Sequence, residues 1–97
     1  MNMQAMMQQA QKLQRDMLKA KNEVESKTFT STQSFVTVEM KGTKEVTSVV
    51  IDSEKLDKED IEILQDLICL AVNENIKNID KEMESKLGKF GGAAGLF

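Results

Sequence analysis

Seven apolar residues near the start of the chain, Met3, Met6, Ala10, Leu13, Met17, Ala20 and Val24, follow one another at steps of three, four, three, four, three and four. That is an uninterrupted coiled-coil register. The intervening positions carry Gln4, Gln8, Gln9, Gln11, Lys12, Gln14, Arg15, Asp16, Lys19 and Lys21, so a narrow apolar seam runs along an otherwise polar helix. Such a helix has to meet another one. Methionine and alanine occupy places where a strong zipper carries Leu and Ile, so the seam packs adaptably and is not stable alone. At 1.5 Å per residue, residues 3–26 span about 36 Å, longer than a short sheet covers, and part of the helix is expected to project.

After Ser26 the period changes. Residues 28–32 have the β-branched and aromatic composition of a strand, and residues 34–41 alternate Val36, Val38 and Met40 against Phe35, Thr37 and Glu39. Gly42-Thr43 reads as a turn into a third strand over residues 44–51, with Val46 and Val50 on one face and Val49 and Ile51 on the other. Short connections favour an antiparallel meander with one face wet. Residues 52–56 resemble a capped turn, and Asp57-Lys58-Glu59-Asp60 opens a long helix with carboxylates at its positive end. Residues 61–72 are apolar nearly all round, which predicts burial against both the sheet and a second subunit, whereas residues 73–86 return to one stripe. Gly88 is expected to stop this helix and residues 88–97 to form a flexible Gly-rich tail. The expectation is an α+β fold: long N-terminal helix, three-stranded antiparallel sheet, long C-terminal helix, in a single domain at residues 1–87.

A chain of 97 residues and 10.9 kDa, with four Phe and neither Trp nor Tyr, builds a thin core. At this size stability commonly needs disulfides, a metal or a second chain. Cys69 is the sole cysteine and there is no histidine, so internal disulfides are impossible and the usual zinc and acid–base chemistries lose their commonest side chain. Oligomerisation is the remaining staple. No cofactor or metal is expected. No run of 18 apolar residues and no signal-peptide layout is present, so the expectation is a cytoplasmic protein without a membrane partner.

Enzyme motifs are missing: there is no GxGxxG, no GxxxxGK[ST] and no CxxC. The pairs Glu59/Asp60 and Glu82/Glu84 sit in strongly polar stretches, where nothing raises a carboxyl pKa toward neutrality, so they read as surface charge. Cys69 lies among Leu67, Ile68 and Leu70 and is expected to be a small buried hydrophobe. The N-terminal methionines could suggest copper-binding thioethers, but a and d spacing favours packing.

The net charge of −3 disfavours nucleic acid until it is resolved by position. Residues 1–27 hold five basic and three acidic side chains, whereas residues 52–86 hold five basic and eleven acidic ones, seven of these acids falling in residues 52–66. Basic groups gather in the middle of helix 1 (Lys12, Arg15, Lys19, Lys21) and toward the end of helix 2 (Lys77, Lys81, Lys86, Lys89). Taken alone, such lysines are most simply solubility groups or complements to a helix dipole.

Several segments nevertheless occur together in a telling order. They are Met6-Met7-Gln8-Gln9-Ala10-Gln11-Lys12-Leu13-Gln14, the strand-turn-strand around Val36-Thr37-Val38 and Gly42, Val50-Ile51-Asp52 followed by Leu56, Leu64-Gln65-Asp66-Leu67-Ile68 leading into Ala71-Val72-Asn73, and a glycine-rich end before Leu96-Phe97. Over nearly its whole length the chain resembles the YbaB/EbfC family of bacterial nucleoid-associated proteins. It departs from the family pattern at Ser31-Thr32-Gln33-Ser34, where the hairpin is commonly glycine-rich, at Asp52-Ser53 in place of Asp-Pro, and in a tail without proline.

The resemblance implies an intertwined homodimer with protruding helical arms that binds double-stranded DNA with weak sequence preference and influences nucleoid organisation and gene expression. The expected phosphate contacts are Lys12, Arg15, Lys19, Lys21, Lys77, Lys81, Lys86 and Lys89, assigned on charge alone. Met6, Leu13, Met17, Leu64, Ile68, Val72 and Ile76 are the expected dimer contacts. The alternative is a helical interaction module whose arms grip a protein partner without physiological DNA binding, which suits the acidic net charge and the adaptable methionine seam. No small-molecule substrate is expected in either case.

Overall fold

The computed structural model describes residues 2–91. The side chain of Asn2 accepts a hydrogen bond from the Gln4 amide at 3.0 Å and starts α1 (Met3–Glu25). Three strands follow, β1 (Thr28–Gln33), β2 (Val36–Lys41) and β3 (Val46–Ile51), in an antiparallel sheet of order β1-β2-β3. Asp52 caps a short 3-10 turn through the Glu54 amide. A second turn precedes α2 (Ile61–Gly88), where an Asp60 carboxylate oxygen accepts from the Asp57 amide at 3.0 Å. The α+β order of helix, three strands and helix is therefore the one the hydrophobic periods indicate.

Packing depends on one face of α2. Over its first two-thirds the helix lies on β1 and β2, where Val36, Val38 and Ala71 are fully buried with Leu64, Leu67, Ile68 and Val72 packed around them. Further along, Val24 of α1, Met40 of β2 and Ile79 of α2 form a second cluster with Phe29, Ile76 and Met83. Asn75 sits between the two, fully buried, and its side-chain amide donates to the Val38 carbonyl at 2.9 Å. This bond joins helix to sheet where an apolar residue would otherwise be expected on the stripe.

α1 buries only Met17, Ala20 and Val24. The same stripe continues through Met3, Met6, Ala10 and Leu13, all of which are exposed, so the N-terminal part of α1 projects from the body. The seam meets another helix within the chain along its last third only.

Local features differ from the periodic expectation in four places. The first hairpin turn is Ser34-Phe35, shorter than residues 31–34, and Ser34 takes φ +54° without glycine's freedom. Phe35 belongs to this turn and packs on the Val36/Val38/Ala71 cluster; it does not lie on the opposite sheet face. In β3, Met40 pairs with Val46 but Glu39 with Ser48, so Thr47 is an extra residue. The bulge reverses the alternation and places Val46 on the same face as Val49 and Ile51, away from Val50. Cys69, expected to be buried, is exposed on α2 because the buried face runs through Ile68, Ala71 and Val72 beside it.

Gly88 is the last residue of α2 and not a left-handed stop; the positive φ, +64°, occurs at Gly91. The remaining tail expectation concerns residues 92–97, which lie outside the described residues. Gly42 has a stricter role. A Cβ there would stand 1.9 Å from the Val24 carbonyl oxygen, since the β2–β3 turn abuts the end of α1, and its amide donates to the Lys27 carbonyl at 3.0 Å.

These two glycines give opposite predictions in urea denaturation. Gly88→Ala, with open space around the new methyl, should stabilise the protein by about 0.5–1 kcal/mol. Gly42→Ala should destabilise it by about 1–3 kcal/mol or more. A loss of stability in Gly88→Ala would contradict a helical Gly88.

Candidate nucleic-acid interface

The basic stripe on α1 follows from helical geometry. Arg15 and Lys19 each stand two residues from buried Met17, which places them about 200° around the helix, on its outer side. Lys12 precedes Arg15 by three positions and joins the same stripe. All three are exposed, and among the described residues none forms an ion pair. Lys21 lies elsewhere on the helix and pairs with Glu25 at 3.9 Å.

The second cluster divides as well. Lys77 and Lys81 flank buried Ile79 by two residues each, so they point outward from α2, and neither has an acidic partner among the described residues. Lys86 turns toward α1 and pairs with Glu23 at 3.6 Å. The Lys89 ammonium lies 5.3 Å from the centre of the Phe90 ring. Because α1 and α2 meet through their buried faces, the Arg15/Lys19 and Lys77/Lys81 stripes look away from each other. The clusters approach where the helices meet: Lys19 and Lys89 line a concavity of about 470 Å³ together with Asp16 and Glu23, and Lys21 faces another with Asp80 and Glu84.

Among the described residues the structure thus separates Lys12, Arg15, Lys19, Lys77 and Lys81, which have no ion-pair partner there, from Lys21 and Lys86, which are engaged within the chain. Spacing offered a signal for one pairing, since Glu25 follows Lys21 by four residues. It offered none for Glu23 with Lys86, which tertiary packing brings together. Other salt bridges also tie lysines to acids, namely Lys27 with Glu82 and Lys44 with Asp80 at 2.9 Å. The acids of residues 52–66 occupy the end of α2 remote from the arm, so repulsion of a polyanion there leaves the arm accessible.

The expected dimer contacts are distributed unevenly. Met6 and Leu13 are exposed on the arm. Met17 is already 4% exposed against α2, so a second chain could cover almost none of it. Leu64, Ile68, Val72 and Ile76 are half-buried on the chain's own core. Large apolar residues that remain open include Met3, Met7, Val46, Val49, Val50, Ile61, Ile63 and Leu70. No group of three or more Cys, Asp or Glu poised to hold a metal ion occurs among the described residues, and no helix among them is long and apolar enough to cross a membrane.

Comparison with known proteins identifies the family. The profile of the YbaB/EbfC DNA-binding family matches residues 1–94. A nucleoid-associated protein of Lactococcus lactis subsp. cremoris is 47% identical over 92 residues, 93% of each chain. One from Enterococcus faecalis is 40% identical over 91 residues, 92% of this chain and 88% of the relative. One from Clostridium novyi is 38% identical over 98 residues, 99% and 86% of the two chains. These relatives carry the names of nucleoid-associated proteins and not of enzymes. With its helix–sheet–helix order and a match running through α1, the sheet and α2, the chain belongs to the YbaB/EbfC DNA-binding family.

Proposed function

We propose that this protein acts as a cytoplasmic, nucleoid-associated homodimer that binds double-stranded DNA mainly through its phosphates, with low sequence specificity, and so affects nucleoid organisation and gene expression. Residues 1–87 would be its single folding unit. The observation that carries the reading is the outward stripe Lys12, Arg15 and Lys19 on α1, without an ion-pair partner among the described residues in a chain whose other lysines are often neutralised. Lysines outnumber the single arginine, Arg15, and long flexible ammonium groups position a protein on phosphate without reading bases. Two copies would double the number of such contacts on one duplex while doubling the acidic excess of the body as well, so the multiplied local contacts, and not the net charge, would hold the DNA.

The relatives' nucleoid-associated names support DNA as the partner and the nucleoid as the location. One observation favours the alternative, a protein-gripping arm: Met3, Met6, Met7 and Leu13 leave an apolar stripe open on the side of α1 opposite the basic one.

Mobility shifts with random duplex DNA across a salt series distinguish the two. The logarithm of affinity should fall linearly with that of salt, by about 0.9 for each phosphate neutralised. K12Q/R15Q/K19Q should weaken binding at least tenfold on every sequence and flatten the slope by about 0.9 for each phosphate no longer neutralised. K21Q/K86Q, which removes cations already paired in the chain, should change affinity less than threefold. A flat salt response, or a triple variant that binds as the wild type does, would refute phosphate binding by the arm. No shift even at low salt would favour a protein partner.

A further inference from the structure

The N-terminal part of α1 has two contrasting sides. The seam Met3, Met6, Ala10 and Leu13 occupies one of them. On the other, Gln4, Gln8, Gln11 and Arg15 follow one another at steps of four, three and four, so at about 100° per residue all three glutamines fall within about 40° of Arg15. Lys12 and Lys19 lie on this same side. The glutamines therefore continue the cation stripe toward the tip of the helix, over about 16 Å from Gln4 to Arg15.

Charge stops where the glutamines begin. Residues 2–11 contain no charged side chain, and the first turn of α1 holds no acid, so nothing at the tip repels a phosphate from the positive end of the helix. All three glutamines are exposed. Among the described residues none of their carboxamides takes part in a hydrogen bond. Helix propensity does not account for them, because Lys and Glu form helix about as well and would add stabilising pairs at i,i+4 that glutamines forgo. What each carboxamide does bring is two N–H donors without a charge.

We propose that Gln4, Gln8 and Gln11 lengthen the DNA-contacting side of α1 by donating uncharged hydrogen bonds to backbone phosphate oxygens beyond those neutralised by Lys12, Arg15 and Lys19. The inference rests on the phosphate-binding reading above and adds three contact residues to it. Glutamine is a common donor to phosphate oxygens, and such bonds fix a protein's placement on the duplex without reading its sequence. A neutral donor releases no counterion, so the share of affinity held by the glutamines does not fade with salt as that of the cations does. The cations steer the protein to the duplex, and the amides hold the tip of α1 once it has docked. The apolar seam, on the opposite side, stays clear of the DNA.

The test uses the full chain in the same mobility-shift salt series. Q4A/Q8A/Q11A should weaken binding to random duplex DNA about fivefold or more at every salt concentration. The slope of log affinity against log salt should change by less than the step of about 0.9 that one phosphate contributes. The loss should agree within about twofold between A·T-rich and G·C-rich duplexes. Q9A/Q14A, at glutamines turned about 120° and 100° away from Arg15, should change affinity less than about twofold. Alanine forms helix better than glutamine, so these variants keep α1 intact. If Q4A/Q8A/Q11A bound as the wild type does while K12Q/R15Q/K19Q still weakened binding, the glutamine contacts would be overturned and the phosphate reading would stand. A slope flattened by a full phosphate step, a loss confined to one base composition, or an equal loss in Q9A/Q14A would overturn them as well. Should both triple variants bind like the wild type, the two readings fall together.

Discussion

Ala71, Asn75, Ile79 and Leu87 lie on one face of α2, and against this face the chain lays first its sheet and then the end of α1. The helix is 28 residues long, about 42 Å, and the strands are only six residues each, so the sheet cannot cover it. α1 supplies the remaining cover through Met17, Ala20 and Val24. Because that contact uses only the last third of α1, the rest of the helix runs past the body. The projecting arm is thus a consequence of length mismatch along a shared face. Gly42 matters for the same reason, since the β2–β3 turn closes directly onto the Val24 carbonyl and holds α1 at its C-terminal end.

This geometry also sorts the charges. Where α1 and α2 meet, their facing flanks bring Glu23 to Lys86, and the approach of the strands to α2 brings Lys27 to Glu82 and Lys44 to Asp80. These exposed pairs are worth little for stability, typically about 0–1 kcal/mol each. Their larger effect is to neutralise cations near the body, while Lys12, Arg15 and Lys19 on the outer side of α1 have no ion-pair partner among the described residues. An acidic protein can therefore present a local cationic surface, with its densest acids, in residues 52–66, at the far end of α2.

The element order was legible in the sequence because each element has its own hydrophobic period: heptads in α1, alternation in β2, and a stripe through Ile61, Leu64, Ile68 and Val72 in α2. What spacing could not supply was context. A single inserted residue, Thr47, moved Val46 to the other sheet face. Gly88 resembled a helix stop, yet nothing beside it in space forbids helix, and the turn of conformation came at Gly91. Asn75 was visible only as a polar interruption on an apolar stripe; its bond to Val38 joins residues 37 positions apart. For the basic groups, composition located both clusters, but burial of Met17 and Ile79 was needed to tell which lysines point outward. Cys69 looked buried from its neighbours because residues 61–72 are apolar on nearly every side, more than one chain's sheet can cover.

The central claim is that the outward stripes of α1 and α2 meet the phosphates, and not the sheet or the start of α2. Its most direct measurement is the amide NMR spectrum of the isotopically labelled protein titrated with random-sequence duplex DNA at low salt. Shifts concentrated on residues 12–19 of α1, with a lesser set around residues 77–89 of α2 and little change over residues 52–66, are the predicted result. Shifts centred on the β-strands or on residues 52–66, with the arm unaffected, would contradict it.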